Sequence, residues 1–330
     1  MSIPNATIDV DVMRELTTED TMIQGTAADD TIHASKGNDL LIGKQGNDFL
    51  SAGGGNDTVI GDSGNDGIYG GTGNDRGFGG TGNDWMSGGK GNDLLYGGKG
   101  NDELHGNSGD DVMAGGSGNN LMYGESGNDA MAGGSGHDAM YGGSGNDYVL
   151  ASSGGDVYSG GSGYDTLDFS AMKGHVTIDL GKHTAAVGSG AGASHDIVSG
   201  FEQIIGNDFG NTFIGDRTAT TFVGGAGDDY FRSKLGADTL TGNDGHNTFA
   251  FLKKDLADGT HDTITDFKMG QDTLILSDFL KGGKTADQAL KVVSDGTNTM
   301  VEGLVNHQWV DIVQLNHVDA HSVHDLGLLA

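Results

Sequence analysis

The chain contains no cysteine, a single proline, two tryptophans, and only 17 lysines and arginines in 330 residues. Without cysteine there are no disulfides, no thiol chemistry and no thiolate metal sites. Against the few bases stand 47 acids, a formal charge of −30. That balance repels nucleic acid and anionic lipid surfaces and suits cations. No run of roughly 18 apolar residues is present, so no transmembrane helix is expected. The opening MSIPNATIDVDVMRELTTED lacks a basic start followed by an apolar core, so it does not read as a Sec-type signal peptide. Few aromatics and high net charge ordinarily mark disorder. Only fixed spacing of glycines and acids would overturn that.

The spacing is fixed. From Gly25 to Asp168 the sequence divides into 16 nonads with no insertion or deletion. A middle stretch reads GGTGNDWMS, GGKGNDLLY, GGKGNDELH, GNSGDDVMA. Position 4 is glycine in every nonad but the first (Ala28), and position 6 is aspartate in every nonad but the eleventh (Asn120). Position 8 is apolar except at Gly77. Glycines at positions 1, 2 and 4 allow backbone with φ > 0 and close approach of carbonyls. Six turn residues and three strand residues per nonad are expected, with position 8 pointing in and positions 7 and 9 out. Two nonads then make one coil, and the coils stack as parallel sheets.

Stacking aligns the turns into two acidic columns. Odd nonads supply Asp30, Asp48, Asp66, Asp84, Asp102, Asn120, Asp138 and Asp156; even nonads supply Asp39, Asp57, Asp75, Asp93, Asp111, Asp129, Asp147 and Asp165. Carboxylates together with turn-glycine carbonyls, such as those of Gly64, Gly73, Gly82, Gly91, Gly100 and Gly109, are hard oxygen donors. Roughly six to eight of these at about 2.3–2.6 Å suit Ca²⁺. Transition metals would want His or Cys, which the turns nearly lack. Eight turns per column leave seven gaps each, hence up to about 14 ions. The two gaps touching Asn120 are expected to be weaker.

Residues 206–250 divide into five more nonads, with Phe213, Phe222, Phe231, Leu240 and Phe249 at position 8. Their position 6 decays to Asn211, Thr220, Asp229, Asp238 and Asn247. A second, degenerate roll held by phenylalanine packing is expected, with at most a few ions near Asp229 and Asp238. The division is therefore an N-terminal segment (1–24), a calcium-binding roll (25–168), a connecting segment (169–205) with a strand at VTIDL and a mobile loop at 188–194, a second roll (206–250), and a C-terminal cap (251–330). In the cap, HDTITDFKMGQDTLILSDFL is expected to form two strands that close the end of the roll, with TMVEGLV and QWVDIVQL as further strands.

The nonads, with DTITDFKMGQDTLILSDF after them, resemble the RTX (repeats-in-toxin) proteins over roughly residues 25–330. The later segment looks like the C-terminal region of serralysin-type metalloproteases. The resemblance implies an all-β fold, a parallel β-roll, with calcium on the position-6 aspartates and turn carbonyls. It also implies release by a type I secretion exporter that reads the C-terminus, and so a secreted, extracellular protein.

No enzyme is expected. None of the 12 histidines is followed by glutamate, which excludes H-E-x-x-H, and no turn serine sits in G-x-S-x-G. His317, His321 and His324 have a spacing that one helix face could present to Zn²⁺. The leading expectation is a stand-alone calcium-binding protein acting at a surface, in a matrix or on a host. The alternative is an auxiliary module for secretion and polysaccharide binding beside an enzyme such as an alginate epimerase or a protease. Even nonads place mostly apolar residues outward, among them Phe78, Leu94, Tyr96 and Val112. That face is expected to be covered by Ile8–Leu16, by the cap, or by self-association with a second copy. The odd face carries Tyr69, Trp85, Tyr123 and Tyr141 among polar neighbours, a mixture that suits a sugar or a protein.

Overall fold

A computed structural model describes residues 20–188, 193–282 and 285–327. The expected coverings and loops at 1–19 and 189–192 lie outside the described residues. The chain divides into two compact units after Asp165.

In the first unit, consecutive strands alternate between two parallel sheets. Each strand pairs with the strand 18 residues away, as Leu41 does with Val59 and Leu104 with Met122. The expected two-nonad coil is therefore the repeating unit. The strands are longer than the expected three residues: Leu94–Lys99 and Val112–Ser117, like most, have six. Each runs through positions 7–9 and on through positions 1–3 of the next nonad, which leaves only positions 4–6 as turn.

The lengthening changes the core. Positions 8 and 1 both face inward, so the inner column is doubled. Position-8 side chains from Leu41 to Tyr158 are buried. At position 1 glycine serves space rather than φ, with Ala34, Ala52 and Ala151 as the exceptions. A Cβ on Gly61 would land on Asp66 Oδ2 and come within 2.7 Å of the Gly79 carbonyl oxygen. Position 4 does need φ > 0: Gly64 has φ +131°, and a Cβ there would collide with the Gly46 carbonyl. At Gly77 the missing side chain is replaced by its neighbours. A Cβ there would sit 2.7 Å from Met86 Cε and 3.1 Å from Leu95 Cδ2.

The second unit has the same plan with different filling. One set of strands runs Thr166–Asp168, Gln203–Ile205, Thr221–Val223, Thr239–Thr241 and Asp262–Ile264, all parallel. The other runs Val176–Asp179, Thr212–Ile214, Tyr230–Arg232, Thr248–Ala250 and Thr273–Ile275. Phe213, Phe222, Phe231 and Phe249 are fully buried, and Phe213, Phe231 and Phe249 stack with centroids 5.0 and 4.9 Å apart. The expected phenylalanine-packed roll is there.

Three expectations are corrected. Residues 169–205 are no simple connector, because Val176–Asp179 is a full member of the roll and is extended antiparallel by Thr184–Val187 and Asp196–Ser199. Leu180 leaves the expected strand for a 3-10 turn. The segment 261–280 does not close the roll. Its two strands enter opposite sheets and continue the parallel stack, so the roll runs past 250. Closure comes from Leu290–Ser294, Thr299–Val305 and Gln308–Leu315, which are antiparallel, the last also pairing parallel with Asp262–Ile264. Pairing to an antiparallel neighbour ends the coil-by-coil propagation. No helix forms at 317–327, and Val318, Ala320, Val323 and Leu326 there are buried.

Candidate metal centre: the aspartate columns

Every coil-to-coil step at the turns repeats one arrangement. From Asp48 onward the carboxylate Oδ1 of each position-6 aspartate accepts a hydrogen bond from the backbone N–H of the position-6 residue one coil earlier. Asp30 N donates to Asp48 Oδ1 at 2.8 Å, Asp57 N to Asp75 Oδ1 at 2.8 Å, and Asp93 N to Asp111 Oδ1 at 2.7 Å. Position 5 bonds the other way. Asn38 Oδ1 accepts from Asn56 N and Asn56 Oδ1 from Asn74 N, both at 2.7 Å. This ladder of position-5 side chains was not anticipated, although the recurring Asn-Asp pair is its signal.

The second carboxylate oxygen is the important one. Oδ2 is buried and receives no hydrogen bond in Asp39, Asp57, Asp75, Asp93, Asp111, Asp129 and Asp147 of the even column, and in Asp48, Asp66, Asp84, Asp102 and Asp138 of the odd column. Each aspartate is at most 3% exposed. Leaving so many buried carboxylate oxygens unpaired would cost roughly several kcal/mol apiece. Burial pushes Asp84 and Asp111 up to about 7 against their Oδ1 hydrogen bonds, and the charges of column neighbours add to the rise. Asp48, Asp57, Asp75 and Asp93 rise to about 6, again chiefly through burial. The fold brings these groups together in a state that a bound cation would relieve.

The donor set fits a hard cation. At most turns the Oδ2 and the carbonyl of the next coil's position-1 residue crowd the same inward space, as Asp66 Oδ2 and Gly79 O do on the inner side of Gly61. The carbonyls of Gly64, Gly73, Gly82, Gly91, Gly100 and Gly109 point along the stack, each at the position-4 glycine of the following coil. The position-1 carbonyls were missed because sequence spacing places position 1 in a turn rather than on the inner face. Among the described residues no three of His, Cys, Asp or Glu form a metal cluster. Each gap offers only two carboxylates, so carbonyls must complete a shell. A groove of about 690 Å³ along the even turns, lined by Asn56, Asp57, Asn74, Asp75, Asn92 and Asp93 among others, gives access.

Two gaps differ. Asp30 Oδ2 accepts the backbone N–H of Thr26 at 2.6 Å. Asn120 Nδ2 donates to Asp138 Oδ1 at 3.0 Å and to Gly133 O at 3.3 Å. At the end of the odd column, Asp156 Oδ2 accepts from Tyr158 Oη at 2.8 Å and Ser152 Oγ at 2.9 Å. Asp165 closes the even column, its Oδ1 accepting from Asp147 N at 2.8 Å.

In the second unit Asp229 departs from expectation. Its Oδ1 accepts from Asn211 N and Nδ2 at 2.7 and 2.9 Å, and its Oδ2 from Gly225 N at 3.0 Å, so the protein itself satisfies the carboxylate. Asp238 keeps a buried Oδ2 without a donor, and burial together with Asp262 pushes it up to about 8. Asp262, unnoticed in the sequence, accepts from Asp238 N at 2.9 Å and Ser233 Oγ at 2.6 Å. The three C-terminal histidines do not converge. His321 lies 3.6 Å from Asp319 and His324 3.6 Å from Asp287.

Among the described residues both outer faces of the first unit are open; the segment Ile8–Leu16 lies outside the described residues. On the even face Leu94, Tyr96, Val112 and Tyr148 are 38–50% exposed, so nothing described covers them. The odd face carries a continuous ring ladder, His33–Phe49–Tyr69–Trp85–His105–Tyr123–Tyr141, with centroids 4.6–5.5 Å apart. His105, Tyr123 and Tyr141 are stacked at 20° and 13°, so they turn rims rather than faces to solvent.

The family comparison agrees with this repeat pattern. The model of the RTX calcium-binding nonapeptide repeat matches overlapping segments that together span residues 17–167 and 205–250. The chain belongs to this family of calcium-binding repeat proteins. No curated protein matches it. Among solved structures it is similar to the extracellular lipase LipA from Serratia marcescens, with 18% identity over 72% of this chain and a TM-score of 0.24. The match spans 40% of the lipase.

Proposed function

We propose that the chain is an extracellular RTX protein without catalytic activity, which folds on calcium outside the cell and acts at a surface, in a matrix or on a host. What carries this reading is the double row of buried carboxylate oxygens that no donor among the described residues satisfies. Metal binding free energy is then folding free energy. A chain that stays open where calcium is scarce suits export in the unfolded state by a type I exporter. The first unit would take twelve ions, seven along the even column and five along the odd, rather than 14. The gap after Asp30 is already satisfied by Thr26, and the gap after Asn120 by the asparagine amide. In the second unit the Asp238–Asp262 pair is the candidate site, and Asp229 is not.

Far-UV circular dichroism with millimolar Ca²⁺ and with EGTA tests the reading. Strong β signal with calcium and its loss with chelator are expected, and a spectrum that EGTA leaves unchanged overturns it. The ring ladder spends aromatic faces on itself, which favours a structural role over a sugar platform. A glycan array with calcium and with chelator decides against the auxiliary polysaccharide-binding alternative if no glycan is retained.

A further inference from the structure

Asn120 is the single departure from aspartate at position 6 of the first roll, and its side chain is placed as an aspartate would be. A Cβ on Gly115 would lie 2.5 Å from Asn120 Nδ2 and 2.7 Å from Gly133 O. One coil earlier, a Cβ on Gly97 would lie 2.5 Å from Asp102 Oδ2 and 2.8 Å from Gly115 O. The amide nitrogen therefore stands where every ordinary turn holds its donorless oxygen. From there it donates to Gly118 O at 3.4 Å, Gly133 O at 3.3 Å and Asp138 Oδ1 at 3.0 Å. Those three oxygens are the ones a cation beside Oδ2 would draw on.

The substitution is one-sided. Asn120 Oδ1 accepts from Asp102 N at 3.0 Å, as an aspartate Oδ1 does. Asp102 Oδ2 keeps its donorless, buried state. The gap before Asn120 is thus unaltered, and only the gap after it changes. The second unit repeats the device: Asn211 Nδ2 donates to Asn207 O at 2.8 Å and to Asp229 Oδ1 at 2.9 Å.

We propose that the Asn120 amide replaces one calcium ion, so that the gap between Asn120 and Asp138 binds none while the gap between Asp102 and Asn120 binds one. A neutral NH₂ satisfies the same acceptors that a cation would and leaves no buried charge behind. The odd column then loads as two separate runs, Asp48 to Asn120 and Asp138 to Asp156, beside an unbroken even column. Asparagine at position 6 is a coil staple that works without metal.

This inference rests on the calcium reading, and the test separates the two. Bound calcium per full-length chain is counted by equilibrium dialysis with elemental analysis at saturating Ca²⁺, for the wild type, Asn120→Asp and Asp84→Asn. Asn120→Asp is expected to bind one ion more than wild type, and Asp84→Asn one fewer. An Asn120→Asp chain that folds and binds the wild-type number overturns the proposal. So does an Asp84→Asn chain that loses two ions or none, and this arm decides if Asn120→Asp fails to fold. A wild type that binds no calcium fails the broader reading instead.

Discussion

The two units share an inner column and differ at the turns. In residues 20–165 position 8 is mostly Leu, Ile, Val and Met, and position 6 is aspartate except at Asn120, most of these aspartates carrying a buried, donorless oxygen. In residues 166–327 position 8 is mostly phenylalanine, and position 6 is largely Asn or Thr, whose neutral side chains leave no buried charge. A fully buried large apolar side chain stabilises by roughly 1.5–3 kcal/mol, with phenylalanine burying the larger area. The same coil can therefore be closed by cations around charged oxygens, or by bigger rings and neutral turn residues. On the reading proposed above, the first solution makes folding conditional on calcium. On the same reading the second calls on a cation only at the Asp238–Asp262 pair.

Chelation should break the comparison most visibly. With EGTA at neutral pH the first unit is expected to open while the second keeps its rolled core. Limited proteolysis with mass spectrometry should return a protected fragment from within residues 166–327. Equal cleavage across both halves would show that phenylalanine packing alone does not sustain a roll.

Acidity offers a second handle. The folded-state values of Asp84 and Asp111 lie at about 7, and those of Asp48, Asp57, Asp75 and Asp93 at about 6, all above the ordinary 3.8. A raised carboxylate value means that ionisation disfavours the cation-free fold. That penalty is absent below the ordinary value and complete above about pH 7. In buffer stripped of calcium by a chelating resin, β signal from the first unit should therefore return as pH falls from 7 towards 4. In calcium, the midpoint should move to higher Ca²⁺ over the same window, because protons compete. A calcium-free spectrum flat across that range would contradict the burial of these groups.

Core truncation sharpens the contrast further. Phe231→Ala should destabilise the second unit by about 3–5 kcal/mol, the range for large-to-small changes in a core. Thermal melts in saturating calcium should show an earlier second-unit transition, with the number of bound ions unchanged. A loss of ions would couple the two units in a way their separate chemistry does not suggest.

Within the first unit, Asp93→Ala removes a donorless Oδ2 and the acceptor for Asp75 N, so the calcium midpoint should rise several-fold. Asp30→Ala should do less, since Thr26 already occupies its Oδ2. Calcium titrations followed by circular dichroism compare the two, and equal shifts would argue against the column. The smallest effect is expected at the even face. Phe78→Glu with Leu94→Glu should leave the fold intact and lower any self-association seen by light scattering at saturating Ca²⁺.

The period of nine determined much from residues alone: an all-β roll, two nonads per coil, the inward position 8, the two aspartate columns and hard-cation chemistry. Strict repetition forces equivalent residues into register, so a one-dimensional pattern becomes a column. The strands Thr299–Val305 and Gln308–Leu315 were legible for the same reason, through alternation. What repetition does not encode, only the tertiary structure decided. Position 1 proved to be part of the inner face because the strand continues through a left-handed residue at position 2, such as Gly71 or Asp62. The strands of 261–280 alternate just as a closing pair would, and only their long-range partners show that they prolong the roll. Which oxygens remain unsatisfied depends on donors brought from elsewhere in the fold: Thr26 to Asp30, Tyr158 to Asp156, Asn211 to Asp229. A motif states which atoms can bind a cation. The surrounding hydrogen bonds decide which of them still need one.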